Sequence, residues 1–287
     1  MGQDSKIEWT DATWNPITGC SVVSPGCTNC YAMRLAGTRL KHNPSRAGLT
    51  TMTKAGPVWN GEVRLNEQWL DQPLRWRAPR RIFVCAHGDL FHENVPDEWI
   101  ARVFNVMAEA PQHTFQVLTK RARRMRELMS GPKHHKDWHP KLWHRSVLPN
   151  VWLGVSAEDQ RRADERIHEL RATPAAIRFL SLEPLLGLID LTRINNVGTV
   201  ASDALSGLRV DPTTGMPFPE DKPWHPIDWV IVGGESGSHA RVMEESWAAS
   251  IRQQCKNAGV PFFIKQMTRK APIPDFLMLR EFPANSA

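Results

Sequence analysis

Three of the five cysteines lie within eleven residues near the N-terminus, at Cys20, Cys27 and Cys30. Glycine and proline residues before and between them predict a loop, and a helix is predicted to follow over 32–40. Thiolates are soft ligands that bind zinc and iron–sulfur clusters in proteins. The spacing C-x6-C-x2-C therefore predicts a metal centre on this loop.

The metal itself has two interpretations. A structural zinc needs four ligands, and the fourth would come from Cys85, His87 or His42. A [4Fe–4S] cluster is the sharper hypothesis because thiolates are its preferred ligands. Held by three cysteines only, such a cluster leaves one iron open to a substrate or a cofactor.

The composition is that of a globular protein. The chain has 287 residues, of which 41% are hydrophobic and 23% charged, and its net charge is +6. An odd number of cysteines argues against a disulfide framework. Because neither a membrane-spanning apolar run nor a secretory signal is present, we expect a cytoplasmic protein that contacts no membrane. The positive charge fits an anionic partner.

Short apolar runs alternate with amphipathic ones along the chain. The runs of strand length are 81–85, 114–118, 151–155, 177–182, 229–232 and 261–264. The helical patterns are 97–110, 121–129, 157–171 and 246–258. This alternation predicts parallel strands in an α/β fold, as a partial or complete (β/α) barrel or, alternatively, a doubly wound sheet. We expect one catalytic domain over 1–287, with the cysteine loop at 18–32 and loop insertions at about 130–150 and 191–226.

Charged residues follow nearly every predicted strand. In barrels and open α/β sheets the active site lies at the carboxyl ends of the strands. Glu183 follows the fourth predicted strand and is either a general acid or base, or a structural carboxylate paired with an arginine or lysine. Lys120, after the second strand, is in place to reach a carboxylate or a phosphate.

The densest run of basic residues starts at this lysine. Because successive residues of a helix point in different directions, only Lys120, Arg121 and Arg124 are expected to touch a polyanion. A further basic rim and stacking indoles would complete a nucleic-acid interface, and the alternative is an exposed helix face with core indoles. The rim and the indoles are Arg75, Arg77, Arg80 and Arg81, and Trp59, Trp69 and Trp76.

Sequence motifs along nearly the whole chain resemble those of the phage Gp37/Gp68-like, or three-Cys-motif, proteins. They are 9–16, Gly19-Cys20, Ser24-Pro25-Gly26-Cys27, Cys30-Tyr31-Ala32, 88–91, 118–121, 154–156, 182–184, 232–237 and 263–266. Three clustered cysteines opening an α/β barrel also resemble the radical S-adenosylmethionine superfamily. The common superfamily motif has three residues in the first gap where this chain has six. It also has an aromatic residue before the last cysteine, where this chain has Asn29, with Tyr31 after that cysteine.

The resemblance implies a set of cofactor ligands. Cys20, Cys27 and Cys30 would hold a [4Fe–4S] cluster whose open iron binds S-adenosylmethionine. Gly88 and Asp89 would bind the amino group of that cofactor. Its ribose would be held after the next strands, by Ser156 and Glu158. Glu235, in a later Gly-Gly-Glu segment, would face the substrate.

The function predicted from these features is reductive cleavage of S-adenosylmethionine to modify or repair a nucleic-acid base or nucleotide. An electron donor is then a required partner, and the location is the host cytoplasm if a phage encodes the protein. Two alternatives stay open. One is a zinc-stabilised nucleic-acid-binding protein without catalysis, and the other is a radical enzyme acting on a peptide or small metabolite.

Overall fold

The computed structural model describes residues 5–131, 147–195, 201–211, 213–216, 218 and 224–284. Much of the insertion predicted at 130–150, and part of the one at 191–226, lies outside these residues. The chain forms two compact units, Met1–Trp152 and Leu153–Ala287. A single catalytic domain over 1–287 stays a prediction. Within the described part, no helix is long and apolar enough to cross a membrane.

The strands and helices of the described residues follow in chain order. The strands are β1 Ala12–Trp14, β2 Ile17–Thr18, β3 Thr50–Thr53, β4 Gly56–Trp59, β5 Arg64–Leu65, β6 Arg81–Val84, β7 Thr114–Thr119, β8 Val151–Ser156, β9 Ile177–Leu182, β10 Ile194–Asn195, β11 Ala201–Ser202, β12 Arg209–Val210, β13 Trp229–Gly233 and β14 Phe262–Gln266. The α-helices are α1 Tyr31–Gly37, α2 Glu67–Leu70, α3 Asp97–Glu109, α4 Ala122–Ser130, α5 Gln160–Arg171 and α6 Glu245–Ala258.

The first unit is built on the parallel strands β1, β6 and β7. Ile82 in β6 pairs with Ala12 on one side and with Phe115 on the other. Helix α3 connects β6 to β7; it begins directly after Pro96 and carries two acidic residues in its first turn, where the helix dipole favours them. The predicted strands 81–85 and 114–118 and the helix 97–110 are confirmed.

The second unit contains the strand order β8, β9, β13, β14, with β13 parallel to both of its neighbours. Every residue of β8, β9 and β13 is buried, which is typical of parallel strands covered on both faces. Helix α5 begins three residues later than predicted because Asp159 caps it, its carboxylate accepting from Arg162 N at 2.8 Å. Helix α6 ends at Gly259, whose φ of +68° suits a left-handed cap.

An α/β fold with parallel strands is thus confirmed in both units. Within each unit, the parallel pairing of the strands is compatible with part of a (β/α) barrel.

Three antiparallel additions were not predicted, and one of them, in the first unit, pairs β2 with β5. In the first unit, hairpin β3–β4 lies against α1, where a Cβ on Gly37 would come within 2.0 Å of Pro57 Cβ. In the second unit, β10, β11 and β12 form a small sheet inside the predicted insertion 191–226. Arg171, at the end of α5, donates to Ser202 Oγ at 2.7 Å and to Gly207 O at 2.9 Å and so anchors this sheet.

Candidate functional site

The cysteine loop starts where the chain backbone meets the end of β6. Gly19 N donates to His87 O at 3.1 Å, and Gly19 forms a bridge with Gly88. A Cβ on Gly88 would lie 3.0 Å from Ile17 O, and one on Gly19 only 2.1 Å from Glu62 O. Gly88, predicted to bind a cofactor, therefore has a packing role: it lets the loop approach the strand end.

The three loop cysteines are reduced and lie in different settings. Cys27 is buried in the short 3-10 helix Pro25–Cys27, whereas Cys20 and Cys30 are half-buried. These two pack against one apolar cluster, which consists of Ala32, Met33, Ala36, Leu49 and Trp59. Burial, then the charges of Asp89 and Cys27, raise the pKa of Cys20 to about 12, against the opposing effect of Arg121.

In the described part of the chain, no three His, Cys, Asp or Glu side chains are grouped so that they could hold a metal ion. The ligand role of the three cysteines stays a prediction.

Arg121 is the centre of a buried polar network beside Cys20. Its side chain is 5% exposed. Nη1 donates to Cys20 Sγ at 3.3 Å and to Asp89 Oδ2 at 3.2 Å, and Nη2 donates to Ser21 Oγ at 2.7 Å. Nε reaches Glu93 Oε1 at 3.3 Å. Burial alone would lower the pKa of Arg121, but Asp89, Cys20 and Glu93 together raise it.

Asp89 holds that arginine in place. Its Oδ1 accepts from Thr119 Oγ1 at 2.7 Å and from Phe91 N at 3.0 Å. Its Oδ2 accepts from Lys120 N at 3.1 Å in addition to Arg121. With both oxygens used twice and the residue 5% exposed, Asp89 orients Arg121. Binding a cofactor amino group would require one of these bonds to be replaced.

Two of the three residues predicted to touch a polyanion are arginines that already contact carboxylates. Arg124 donates to Val95 O at 2.6 Å and to Asp97 Oδ1 at 2.7 Å, so it fastens the segment between β6 and α3. Arg121 is buried, as described. Carboxylates of residues 89–97 face both arginines, and the contact of these arginines with a polyanion stays a prediction. Lys120 is half-buried, and its ammonium group has no hydrogen-bond or ion-pair partner among the described residues.

The predicted stacking indoles are mostly core residues. Trp59 and Trp76 are each 6% exposed, and Arg80 lies over the ring of Trp76 at 5.5 Å. Trp69 is half-buried, and its backbone carbonyl accepts from Trp14 Nε1 at 2.7 Å. Buried indoles cannot stack on bases, so the indole part of the interface prediction is wrong for Trp59 and Trp76.

In the second unit, the predicted ribose-binding residues share one arginine. Arg166 Nη1 donates to Ser156 O at 2.7 Å and to Glu158 Oε2 at 3.1 Å. The Glu158 side chain is 0% exposed and Ser156 is 3% exposed. A fully buried carboxylate paired with an arginine is typical of a structural ion pair, and the binding of a cofactor ribose by Ser156 and Glu158 stays a prediction.

Glu183 and Glu235, the carboxylates of this unit that were expected near the substrate, are also paired with basic residues. Glu183 Oε1 lies 2.8 Å from Lys265 Nζ, both side chains being less than one-fifth exposed. Of the two interpretations of Glu183, the paired carboxylate is the one that the contacts match. Glu235 Oε2 accepts from Arg241 N at 2.7 Å, and the Arg241 guanidinium contacts Oε1. A catalytic role for Glu183 and Glu235 stays a prediction.

Sequence reasoning missed two parts of the first-unit site. Ser21 and Glu93 complete the shell around Arg121, and nothing in their spacing distinguishes them from surface residues. It also missed Arg46, a buried arginine near Cys85 and His87. The available indication was the charge pattern, because 12–61 contains no aspartate or glutamate.

Parallel strands joined by helices, with charged side chains at their carboxyl ends, define this chain as an α/β protein with a polar site beside a cysteine loop. The chain belongs to the family DUF5131, described as a protein of unknown function, whose family model matches residues 4–274. No curated protein matches the chain, and no solved structure does. The family description names no activity.

Proposed function

We propose that this protein is an iron–sulfur enzyme of the radical S-adenosylmethionine type that acts on a nucleic-acid base or nucleotide. Cys20, Cys27 and Cys30 would hold the [4Fe–4S] cluster. The observation that carries the proposal is the contact of Arg121 with Cys20 Sγ at 3.3 Å, because it puts a buried cation beside the predicted ligands.

The donor set fits the group chemically. All three ligands come from one loop, and two of them lie on the same apolar cluster. Burial keeps the Cys20 thiol protonated in the absence of metal, and metal binding displaces such protons. The resulting thiolate–iron group carries negative charge, which a neighbouring guanidinium stabilises. When bound, the cluster would supply one electron and an open iron position for cleavage of the S-adenosylmethionine sulfonium bond, so an electron donor is part of the proposal.

The protein's own residues would position and neutralise this centre. Gly19 and Gly88 allow the loop to lie against the end of β6. Asp89 would hold the Arg121 guanidinium so that its positive charge lies beside Cys20, the first predicted ligand. Lys120, whose ammonium has no partner in the described part of the chain, is in place for an anionic group of cofactor or substrate.

The distribution of charge favours an anionic substrate. Residues 12–61 carry five basic residues and no acidic one, a formal charge of +5 out of +6 for the whole chain. Four of the five are exposed, and none of these four pairs with a carboxylate of the described residues. They are Arg34, Arg39, Lys41 and Lys54. Since this stretch includes the cysteine loop, a polyanion would be attracted to the same region.

Anaerobic reconstitution with iron and sulfide tests the proposal. We expect a brown protein with about four irons per chain, and loss of most iron in Cys20→Ala, Cys27→Ala and Cys30→Ala. Cys85→Ala and Cys255→Ala are the matched controls and should keep their iron, because both thiols are buried and neither belongs to the cysteine loop. A colourless protein containing one zinc, or full iron retention in Cys27→Ala, would refute the proposal.

A further inference from the structure

Arg46 is buried in the turns that follow α1. Only 4% of its surface is exposed. Nη1 donates to Ser45 Oγ at 2.7 Å and to Ser45 O at 3.2 Å, and Nε donates to His87 Nδ1 at 3.5 Å. Its guanidinium carbon lies 5.9 Å from the ring centroid of Trp69. All of these partners are uncharged groups.

No negative charge neutralises this arginine among the described residues. Burial raises the pKa of nearby Cys85 to about 12, so that thiol stays protonated. The hydroxyl of Tyr31 donates to Ala86 O at 2.7 Å rather than accepting from Arg46. Burial and the charge of Arg46 lower the pKa of His87 to about 4, so the imidazole is neutral as well.

Two other buried arginines have carboxylate partners. Arg121 has Asp89 and Glu93, and Arg166 has Glu158. Buried Arg171 has uncharged hydrogen-bond partners, but its three side-chain nitrogens all donate to them, and the charge of Asp203 opposes the effect of burial on its pKa. For Arg46, the neighbouring charge of Arg64 is also positive and lowers its pKa further. Burying a cation without a counter-ion is costly, and a bound anion would remove that cost.

One edge of the guanidinium is available to such an anion. Nη2 makes no hydrogen bond with the described residues, and it is not completely buried. The rest of the group is held rigidly. Ser45 O accepts from Thr18 Oγ1 at 2.7 Å, and Ser45 Oγ donates to Asn43 Oδ1 at 2.7 Å. A fixed guanidinium with a free edge is suited to an oxoanion.

We propose that Arg46, together with the nearby charge of Arg64, binds a phosphate group. Two arginines close enough to interact favour a phosphate over a singly charged carboxylate. The assignment of this phosphate to a nucleotide or nucleic-acid substrate rests on the proposed function. Phosphate binding itself requires neither cluster nor cofactor.

Inorganic phosphate is the first probe, with the full chain as purified. We expect phosphate to raise the Tm by several degrees over sodium chloride of equal ionic strength. Arg46→Gln should lose this response and weaken calorimetric phosphate binding at least tenfold. Because it removes an uncompensated buried charge, the same variant should have an unchanged or higher Tm when phosphate is absent.

Two further variants keep the test decisive. Arg46→Lys preserves the charge without the forked donor and should bind phosphate more weakly than the unmodified protein, even if Arg46→Gln fails to fold. Lys6→Gln removes an exposed charge that belongs to neither site and should keep the phosphate response. No phosphate effect beyond that of chloride, or equal binding by both Arg46 variants and the unmodified protein, would overturn the site.

A second set of ligands identifies the carrier of the phosphate. A nucleoside, its monophosphate and a short oligonucleotide are titrated separately from any assay of iron content. Binding of the monophosphate and oligonucleotide, but not of the nucleoside, supports the assignment. If inorganic phosphate binds and the oligonucleotide does not, the nucleic-acid assignment falls while the phosphate site stands. Loss of iron in the cysteine variants is measured independently, so failure of the cluster proposal is distinguishable from failure of this one.

Discussion

Replacing Asp89 with asparagine tests whether the network around Arg121 is as constrained as its contacts indicate. Each carboxylate oxygen of Asp89 accepts two hydrogen bonds, and three of the four donors are Phe91 N, Lys120 N and Arg121 Nη1. An asparagine has one acceptor oxygen and one amide group that only donates. Whichever way the amide is turned, it faces at least one backbone N–H that then loses its partner.

The expected cost follows from these contacts. Breaking a buried ion pair by removing one charge costs about 3–5 kcal/mol. Arg121 retains Glu93 at 3.3 Å, although that carboxylate is 59% exposed and contributes less. We therefore expect Asp89→Asn to lower the free energy of unfolding by about 2–4 kcal/mol.

Urea-induced unfolding followed by tryptophan fluorescence measures this loss. The matched control is Asp71→Asn, because Asp71 pairs with Arg75 at 2.8 Å but both side chains are more than half exposed. That variant should stay within about 0.5 kcal/mol of the unmodified protein. An Asp89→Asn variant that is equally stable would refute the view that Asp89 holds a buried, otherwise poorly compensated cation.

Two other predictions concern acid stability and polyanion binding. Burial and the charge of Arg46 lower the pKa of His87 from 6.5 to about 4. Between these pH values His87 binds a proton in the unfolded chain but not in the folded protein. As the pH is lowered through this range, the free energy of unfolding should therefore fall by up to about 1.4 kcal/mol per pH unit relative to His87→Gln, and parallel pH profiles of unfolding for the two proteins would contradict this. For polyanions, replacing three exposed cations of the acid-free stretch with glutamine should weaken oligonucleotide binding at least tenfold and reduce its dependence on salt, whereas three exposed cations elsewhere should matter little. The test set is Arg39, Lys41 and Lys54, and the control set is Lys6, Lys256 and Lys270; equal losses in fluorescence anisotropy titrations would mean that net charge alone attracts the ligand.

The long elements could be predicted from the sequence because their patterns are local. Strands β6, β7, β8, β9, β13 and β14 each have four to six residues with apolar or β-branched side chains, and all were expected. Strand β1 was missed because three residues are too few for a periodic pattern. Its partner β6 lies about 70 residues further along the chain, so only tertiary structure identifies it.

The site was predictable in its location but less so in its contacts. The expectation that Asp89 lies close to the cysteine loop agrees with its interaction with Cys20. Arg121 and Arg124 are three residues apart, so helical spacing predicts that they lie on the same side of a helix. The spacing does not show whether that side faces solvent or a carboxylate. Glu158 has the same difficulty, because a charged residue after a strand is expected at a surface until its buried arginine partner is known.

The tetrapeptide after β6 secures the chain on both sides of the cysteine loop. His87 O accepts from Gly19 N at 3.1 Å, and Ala86 O accepts from the Tyr31 hydroxyl at 2.7 Å. Between these two attachment points, Val22 and Val23 are exposed, whereas Ser21 is bound to Arg121. The entropic cost of closing a loop rises only slowly with its length. The gap between the first two cysteines can therefore be lengthened at Val22 and Val23 without moving either end of the loop.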